Sequence, residues 1–408
     1  MYFPGIPPPT DTSESPVMSA SLRPIPLRFA LCLFAAAAVA ACGGGGDVSG
    51  PASASEAESL AGVQALTGQD DLSTESLDGI ASNERTASAR SVTAASTLEE
   101  PVPQVPGGTS PVIVDMASVP ARAVGQSELR VKTTTQVPNA TSIGAFRTLC
   151  DFSHMATDDP IVFPGQPGRS HLHTFFGNTD TNADTTAESL VNTGNSTCIG
   201  GIANRTAYWV PSMIDTATNA PVKPKSAIIY YKTGYNGIRP QDVRPLPAGL
   251  RMIAGNAKNT TAKGPFRFEC IGKGSENMVG MSIQNCPVGA EMWQVVFFPQ
   301  CWDGVNLDSP DHKSHMSYTV NHACPATHPV PLPEITFNIT YVVTQADAPL
   351  RWRLASDAYD RSLPAGYSSH GDWFNGWKQD IMESWVRNCD QASKDCHASL
   401  LGEGRAVY

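Results

Sequence analysis

Aromatic residues and cysteines are absent from a long N-terminal stretch of this 408-residue chain. Between Gly43 and Ala145 there is no Phe, Tyr, Trp or Cys, and Ser, Ala, Thr, Gly and acidic residues dominate. Such a segment lacks the apolar surface whose burial would offset the entropy lost on ordering the chain. We therefore predict a disordered acidic stalk over residues 42–140 and a single folded domain over residues 141–408.

An excess of basic charge is also absent. Residues 43–128 carry 12 acidic and 3 basic side chains, whereas residues 129–408 carry 24 acidic and 23 basic ones. The net charge of −10 therefore belongs mainly to the stalk, and the domain is nearly neutral. Because nucleic-acid binding depends on a concentrated positive field, we predict no nucleic-acid partner.

Only one long hydrophobic run is present, at residues 29–41 near the N-terminus. Two arginines precede it, and this pattern predicts a signal peptide over residues 1–41, with Met18 as the better start. The run ends in Val-Ala-Ala-Cys at 39–42, followed by four glycines, and so resembles a bacterial lipobox, whose cysteine is lipidated. We expect a lipid anchor at Cys42 that holds the protein in the cell envelope, as an outer-membrane lipoprotein. The alternative is an ordinary secreted protein.

No Cys-x2-Cys pair occurs, which argues against a thiolate zinc site. Eight cysteines lie in the predicted domain, and an even number in an exported protein predicts a set of disulfide bonds. The short loop favours Cys389–Cys396, and we expect sequential pairs elsewhere, although spacing does not determine the pairing. The eight are Cys150, Cys198, Cys270, Cys286, Cys301, Cys324, Cys389 and Cys396.

Strand-forming residues dominate the domain. Seven segments rich in β-branched and aromatic residues are bounded by Gly, Pro and Asn and predict strands. Apolar residues spaced by four between Trp377 and Cys389 predict one C-terminal helix. We expect a mainly β domain, an antiparallel sandwich or jelly-roll-like fold with long loops, closed by this helix. The predicted strands are 226–233, 250–254, 265–271, 292–298, 315–321, 334–344 and 350–354.

Histidines are few but clustered. His171 and His173 are separated by Leu172, and side chains two apart in an extended strand point to the same face. We therefore predict that these two imidazoles project together, as a metal site, a proton-transfer site or a recognition surface requires.

Three further stretches carry chemically active side chains near the predicted strand ends, where sites are commonly built. We predict that His171, His173, His315 and His370 meet in one pocket with Asp303 and Asp372. Residues 298–315 contribute Trp302, Asp303, His312 and His315; residues 369–377 contribute His370, Asp372 and Trp373; residues 206–211 contribute Tyr208 and Trp209.

A series of motifs runs through the domain in a fixed order. They are DPIV at 159–162, SHLH at 170–173, AYWVP at 207–211, CWDG at 301–304, DHKSH at 311–315 and GDWFNGW at 371–377. On these motifs the region from about residue 146 to residue 389 resembles the domain of unknown function nineteen-ninety-six. That family occurs in secreted fungal proteins, sometimes joined to a WSC carbohydrate-binding domain, and in bacteria. The resemblance implies a secreted setting and favours glycans, but implies no reaction. Gly371 stands where the family pattern has alanine.

Three functions fit these residues. The first is a protein that acts on or binds polysaccharide at the cell envelope, by hydrolase or lyase chemistry. The second is a metal-binding protein or metalloenzyme in which His171, His173 and His315 hold a divalent ion. The third is a glycan-binding or structural envelope protein without catalysis. For the first, the predicted acid/base and partner groups are His171, His173, Asp303, His312, His315, His370 and Asp372, and the predicted sugar contacts are Arg169, Tyr208, Trp209, Trp302 and Trp373.

Overall fold

The computed structural model describes residues 112–234, 236–275 and 278–408. The predicted signal peptide, Cys42 and the acidic stretch to residue 111 lie outside the described residues. The described fold starts before residue 141, because Val112 is buried and Val131–Thr133 pairs with Arg405–Val407. Within the described ranges, no helix is long and apolar enough to span a bilayer.

The domain is mainly β, as predicted, with 21 strands among the described residues. In the first half they are β1 (Val131–Thr133), β2 (Asn139–Ala140), β3 (Ala145–Cys150), β4 (Phe152–Ala156), β5 (His173–Gly177), β6 (Ala207–Pro211), β7 (Met213–Asp215), β8 (Ala220–Pro221), β9 (Ser226–Lys232) and β10 (Arg251–Gly255). In the second half they are β11 (Phe266–Ile271), β12 (Val279–Gly280), β13 (Glu291–Phe297), β14 (Cys301–Trp302), β15 (Met316–Ser317), β16 (Val330–Pro331), β17 (Glu334–Val342), β18 (Trp352–Leu354), β19 (His370–Phe374), β20 (Lys394–Asp395) and β21 (Arg405–Val407).

Helical structure is confined to short segments between strands. The predicted C-terminal helix is confirmed, and its last turn widens into a π-helical turn that carries Cys389 into the core. The helices are α1 (Ala187–Asn192) and α2 (Gln379–Trp385), the 3-10 turns are Met116–Ser118, Pro240–Asp242 and Ala348–Arg351, and the π-helical turn is Val386–Asp390.

Two large sheets form the body of the domain. One has five strands in the order β10-β19-β6-β5-β4, and the other has eight in the order β12-β11-β13-β17-β9-β3-β20-β2. The pairings are antiparallel except for the single bridge between β20 and β3. Their facing sides share the main core, in which the Tyr208 ring contacts Phe337 and its hydroxyl lies 2.9 Å from that of Tyr231. The predicted antiparallel sandwich is therefore confirmed.

The five-stranded sheet is covered on its outer face too. Phe175, Trp209 and Phe374 point outward and pack with Ile161 and Leu190. Ile161 lies in the loop before β5, and Leu190 lies in the long connection between β5 and β6. Because side chains alternate along a strand, residues in step with Phe175 and Phe374 also face outward. This outer layer is where the candidate site lies.

All four predicted disulfides are confirmed, and each joins sequential cysteines. The pairs are Cys150–Cys198, Cys270–Cys286, Cys301–Cys324 and Cys389–Cys396.

One strand prediction is largely wrong. The segment 315–321 contributes only the two-residue strand β15, because Asn321 and His322 adopt positive φ and turn the chain. His315 therefore precedes a strand and belongs to a loop.

Candidate metal centre

The first two histidines lie where β5 begins. His173 opens β5 and is paired with Ala156 of β4 and Pro211 of β6. His171 lies two residues earlier, and the backbone N–H of Ser212 donates to the carbonyl of Leu172 between them, which continues the strand direction. The ring centroids of His171 and His173 are 4.3 Å apart. The predicted common face is confirmed, although the strand itself starts only at His173.

The third histidine is His370, at the start of β19. Its ring centroid lies 5.0 Å from that of His171 and 5.7 Å from that of His173. Gly255 of β10 is its pairing partner and has φ of +81°. A Cβ at Gly255 would lie 2.4 Å from the Ser369 carbonyl oxygen and 2.8 Å from the Cα of His370. Only glycine lets β10 approach this closely.

Backbone carbonyls orient two of the rings. Nδ1 of His173 lies 2.9 Å from the carbonyl oxygen of Asp158, and Nδ1 of His370 lies 2.8 Å from that of Ser368. Because a carbonyl only accepts, both Nδ1 atoms carry the hydrogen and both Nε2 atoms keep a lone pair. Metal-binding histidines in proteins are commonly held in this way. In the three-histidine group, one nitrogen per ring lies within 4.8 Å of the others.

Several buried polar atoms at this point have no hydrogen-bond partner among the described residues. They are Nε2 of His171, Nε2 of His173 and Oδ2 of Asp372. Asp372 is on β19 two residues after His370, and its Oδ2 is 4.0 Å from the His370 Nε2. Each such atom costs about 1–3 kcal/mol of folding free energy when it is left without a partner. The two imidazole nitrogens belong to one three-histidine group that could hold a metal ion, and the carboxyl oxygen lies beside its third member.

The electrostatics keep the imidazoles neutral. Burial lowers the pKa of His173 to about 4. Burial, with repulsion from His173, lowers the pKa of His370 to about 3. Burial also lowers the pKa of His171, while burial and the neighbouring Asp159 raise the pKa of Asp372. Neutral imidazoles are the form in which histidine binds a metal ion.

The donor set fits a divalent transition-metal ion. Imidazole nitrogens with one carboxylate suit Zn²⁺ and its neighbours, with metal–nitrogen distances of about 2.0–2.1 Å. Nitrogens bound to one tetrahedral ion at that distance lie about 3.4 Å apart. The nitrogens of the three-histidine group lie within 4.8 Å of one another, which is close to this separation.

Comparison with known proteins gives a family for this arrangement. The family described as Domain of unknown function (DUF1996) matches residues 159–377, just over half of the chain. The chain belongs to this family. The matched region holds all three histidines and Asp372 of the candidate centre. Neither the curated proteins nor the solved structures yield a match.

The DUF1996 domain does not bring His315 to the other histidines. The prediction that His315 is the third metal ligand is therefore wrong. Nε2 of His315 donates to the carbonyl of Arg251, at a distance of 2.7 Å. Arg251 begins β10, whereas Gly255, the partner of His370, ends it. Four residues of strand separate these positions by about 13 Å. His370 takes the third place because β19 pairs alongside β10 and β6.

The rest of the 303–315 loop is held by its own hydrogen bonds. Asp303 accepts from the backbone N–H groups of Val305 and Asn306, and Nδ1 of His312 lies 3.0 Å from Asp308. These contacts stabilise the loop and leave Asp303 outside the histidine group. The predicted convergence therefore holds for the three clustered histidines and Asp372 only.

Of the predicted sugar contacts, some are buried and others are at least partly exposed. Tyr208, Trp209 and Trp373 are fully buried in the core layers and present no ring face to solvent, which corrects their prediction as surface contacts. Trp302 is partly exposed, and its indole N–H donates to the carbonyl of Asn306. Arg169 is exposed near the cluster and lies over the ring of Phe163.

Two residues near the centre went unnoticed as site residues in the sequence. Asp159 is buried and electrostatically coupled to His370 and Asp372, and its Oδ1 accepts from the N–H groups of Ile161 and Val162. Lys313 is coupled to Asp372 across the sheet edge. The only available signal was their presence within the DPIV and DHKSH motifs.

Proposed function

We propose that this domain binds a divalent transition-metal ion through Nε2 of His171, His173 and His370, with Asp372 as the adjacent carboxylate. The observation that carries the proposal is the group of three imidazoles with one nitrogen per ring within 4.8 Å of the others, in which the buried Nε2 atoms of His171 and His173 have no partner and the rings of His173 and His370 are oriented by carbonyls. A single cation would pair with the three imidazoles, with the Asp372 oxygen 4.0 Å from the His370 Nε2. Of the three functions that the sequence left open, metal binding is thus the best supported.

The arrangement favours a reactive centre over a purely structural one. Structural zinc sites are closed by four protein ligands, usually including cysteine, whereas three histidines leave a coordination position open. A bound divalent ion would supply Lewis-acid polarisation of a ligand oxygen or activation of water. Of the three residues, His171 is the one that is not fully buried, although its Nε2 atom is.

We further propose that the domain acts on or binds polysaccharide at the cell envelope. The support is the predicted export signal and the setting that the family resemblance implies. The lipid anchor at Cys42 belongs to this part of the proposal. Replacing Cys42 with serine should release the protein from the membrane fraction or leave it unprocessed, and a variant that still carries lipid would contradict the anchor.

The test of the metal centre is metal content. Purified protein is stripped with a chelator, incubated with Zn²⁺, Co²⁺ or Mn²⁺, dialysed and analysed by mass spectrometry of the elements. We expect about one ion per chain in the wild type and none in His171→Ala, which removes a partly exposed ligand at little cost to the core. His312→Ala is the matched control, because His312 also lies at the surface but outside the group.

Two results would contradict the proposal. One is a wild type that keeps no ion after dialysis although it is folded. The other is equal metal content in the wild type and in His171→Ala. Loss of metal from His312→Ala would indicate that the ion lies in the loop instead.

A further inference from the structure

A cavity lies against the histidine cluster. Its volume is about 350 Å³, at the lower end of ligand pockets in proteins. Gly255 and Lys313 line it, and the same two residues adjoin the metal centre: Gly255 is packed on His370, and Lys313 is coupled to Asp372. The Lys313 ammonium donates to the Gly255 carbonyl at 2.6 Å, which fixes the lysine at this shared wall.

The cavity has a positive and amphipathic lining. Lys263 and Lys313 are basic, Asn256 adds an amide, and none of the described lining residues is acidic. Tyr318 is 44% exposed and gives the wall an aromatic side chain, whereas Phe266, which also lines the cavity, is almost fully buried. The nearest negative groups, Asp311 and Asp372, lie on the Lys313 side outside the lining and compensate part of its charge.

We propose that this cavity binds an acidic sugar residue, of the uronate type, and holds it beside the metal centre. Both lysines line the cavity, and their positive charge suits a carboxylate, which pairs with lysine by charge-assisted hydrogen bonds. The apolar and aromatic surfaces match the C–H face of a sugar ring, which a small inorganic anion does not possess. The volume accommodates about one to two sugar rings. The part of this inference that places the sugar beside a metal ion rests on the proposed function.

The experiment measures binding of trigalacturonate by calorimetry to the metal-loaded mature chain. The matched ligand is the fully methyl-esterified trisaccharide, which has the same size without the charge. Inorganic phosphate serves as the small-anion competitor. We expect the acid to bind at least tenfold more tightly than the ester, and phosphate at equal concentration to displace little of it.

Variants of the two lysines locate the site. Lys263→Met and Lys313→Met should each weaken binding of the acid severalfold and leave binding of the ester unchanged. Lys263→Arg should retain most of the affinity, because it keeps the charge. Metal content is measured on the same samples, so that an unfolded variant or an empty centre is recognised.

The outcomes separate the two proposals. Equal binding of acid and ester, or full displacement by phosphate, overturns the sugar-acid inference even when metal is present. If the wild type holds no metal after loading, the proposed metal centre is overturned. Selective binding of the acid to the same samples would then support the cavity alone. Selective binding that depends on both lysines, in chains that hold metal, supports both.

Discussion

Two groups of histidines and carboxylates lie on the same face of the domain and differ in one respect. The histidine cluster, His171, His173, His370 and Asp372, leaves buried nitrogen and oxygen atoms without partners among the described residues. In the loop cluster, which comprises Asp303, Asp308, His312 and His315, the carboxylates, both nitrogens of His315 and Nδ1 of His312 are paired with backbone and side chains. The first has a composition and geometry that a ligand would complete, and the second is complete already.

The difference shows how similar residues acquire different roles. A histidine whose two nitrogens are both hydrogen-bonded, as His315 is to Arg251 and Ser309, contributes to stability and has no lone pair to offer. A histidine with one nitrogen fixed by a carbonyl and the other free is prepared for a ligand. Composition alone does not separate the two cases.

The largest expected change comes from the disulfide that supports the loop cluster. Cys301→Ser with Cys324→Ser opens the loop between them and should lower the free energy of unfolding by about 2–4 kcal/mol. The rise in melting temperature caused by metal should persist, because none of the proposed ligands lies in this loop. Denaturation with and without Zn²⁺ measures both. A folded variant without the metal-induced rise would show that the two clusters are coupled.

Removing His315 should cost nearly as much. His315→Ala leaves the part-buried carbonyl of Arg251 without its partner and removes one of the two partners of the Ser309 hydroxyl, so we expect a loss of about 1–3 kcal/mol. Metal affinity of the folded protein should be unchanged. His171→Ala should show the reverse pattern, with stability of the metal-free protein nearly kept and affinity lost. If the two variants lost stability and metal affinity to the same extent, the two clusters would not differ in function.

Gly255→Ala tests the support of the metal centre by β10. The new Cβ collides with the Ser369 carbonyl and the backbone of His370, so metal affinity should fall by about 10–100-fold. Gly289→Ala is the control, since Gly289 has a similar positive φ of 86° but open space around it. Both variants carry the backbone strain of about 1–3 kcal/mol. A drop in affinity of the same size in both would attribute it to strain and not to displacement of His370.

The last expected change concerns the pH dependence of stability at Asp390, a buried carboxyl whose two oxygens also lack partners among the described residues. Burial raises the pKa of Asp390 above its ordinary value of 3.8. The folded state therefore keeps a proton that the unfolded state releases, and the resulting stability is complete below pH 3.8 and is lost as pH rises toward the folded pKa. Asp390→Asn does not titrate.

The free energy of unfolding of the variant should accordingly rise relative to that of the wild type as pH increases above 3.8, by at most about 1.4 kcal/mol per pH unit. Denaturation at pH 4, 5, 6 and 7 measures the difference. Among the described residues, Asp390 does not belong to the three-histidine group, so metal content should be unchanged. A constant difference across pH, or lost metal, would contradict this assignment.

The sequence alone determined much about the fold, because local patterns report local structure. Strand 9, Ser226–Lys232, alternates buried and part-buried side chains as its period of two requires. Apolar spacing by four predicted the C-terminal helix, and the nearness of cysteines along the chain favoured the sequential pairs. The common face of His171 and His173 followed from the same period of two.

Only the tertiary structure decided the rest of the site. His315 and His370 both lie far from His173 in the sequence, 142 and 197 residues later, and the pairing of β19 with β10 and β6 selects His370. Exposure of Trp373 and Trp209 was equally undetermined, and the covering of both sheet faces buries them. Side-chain periodicity is a property of neighbouring residues, whereas ligand partners and hydrogen-bond satisfaction depend on contacts between segments about 200 residues apart.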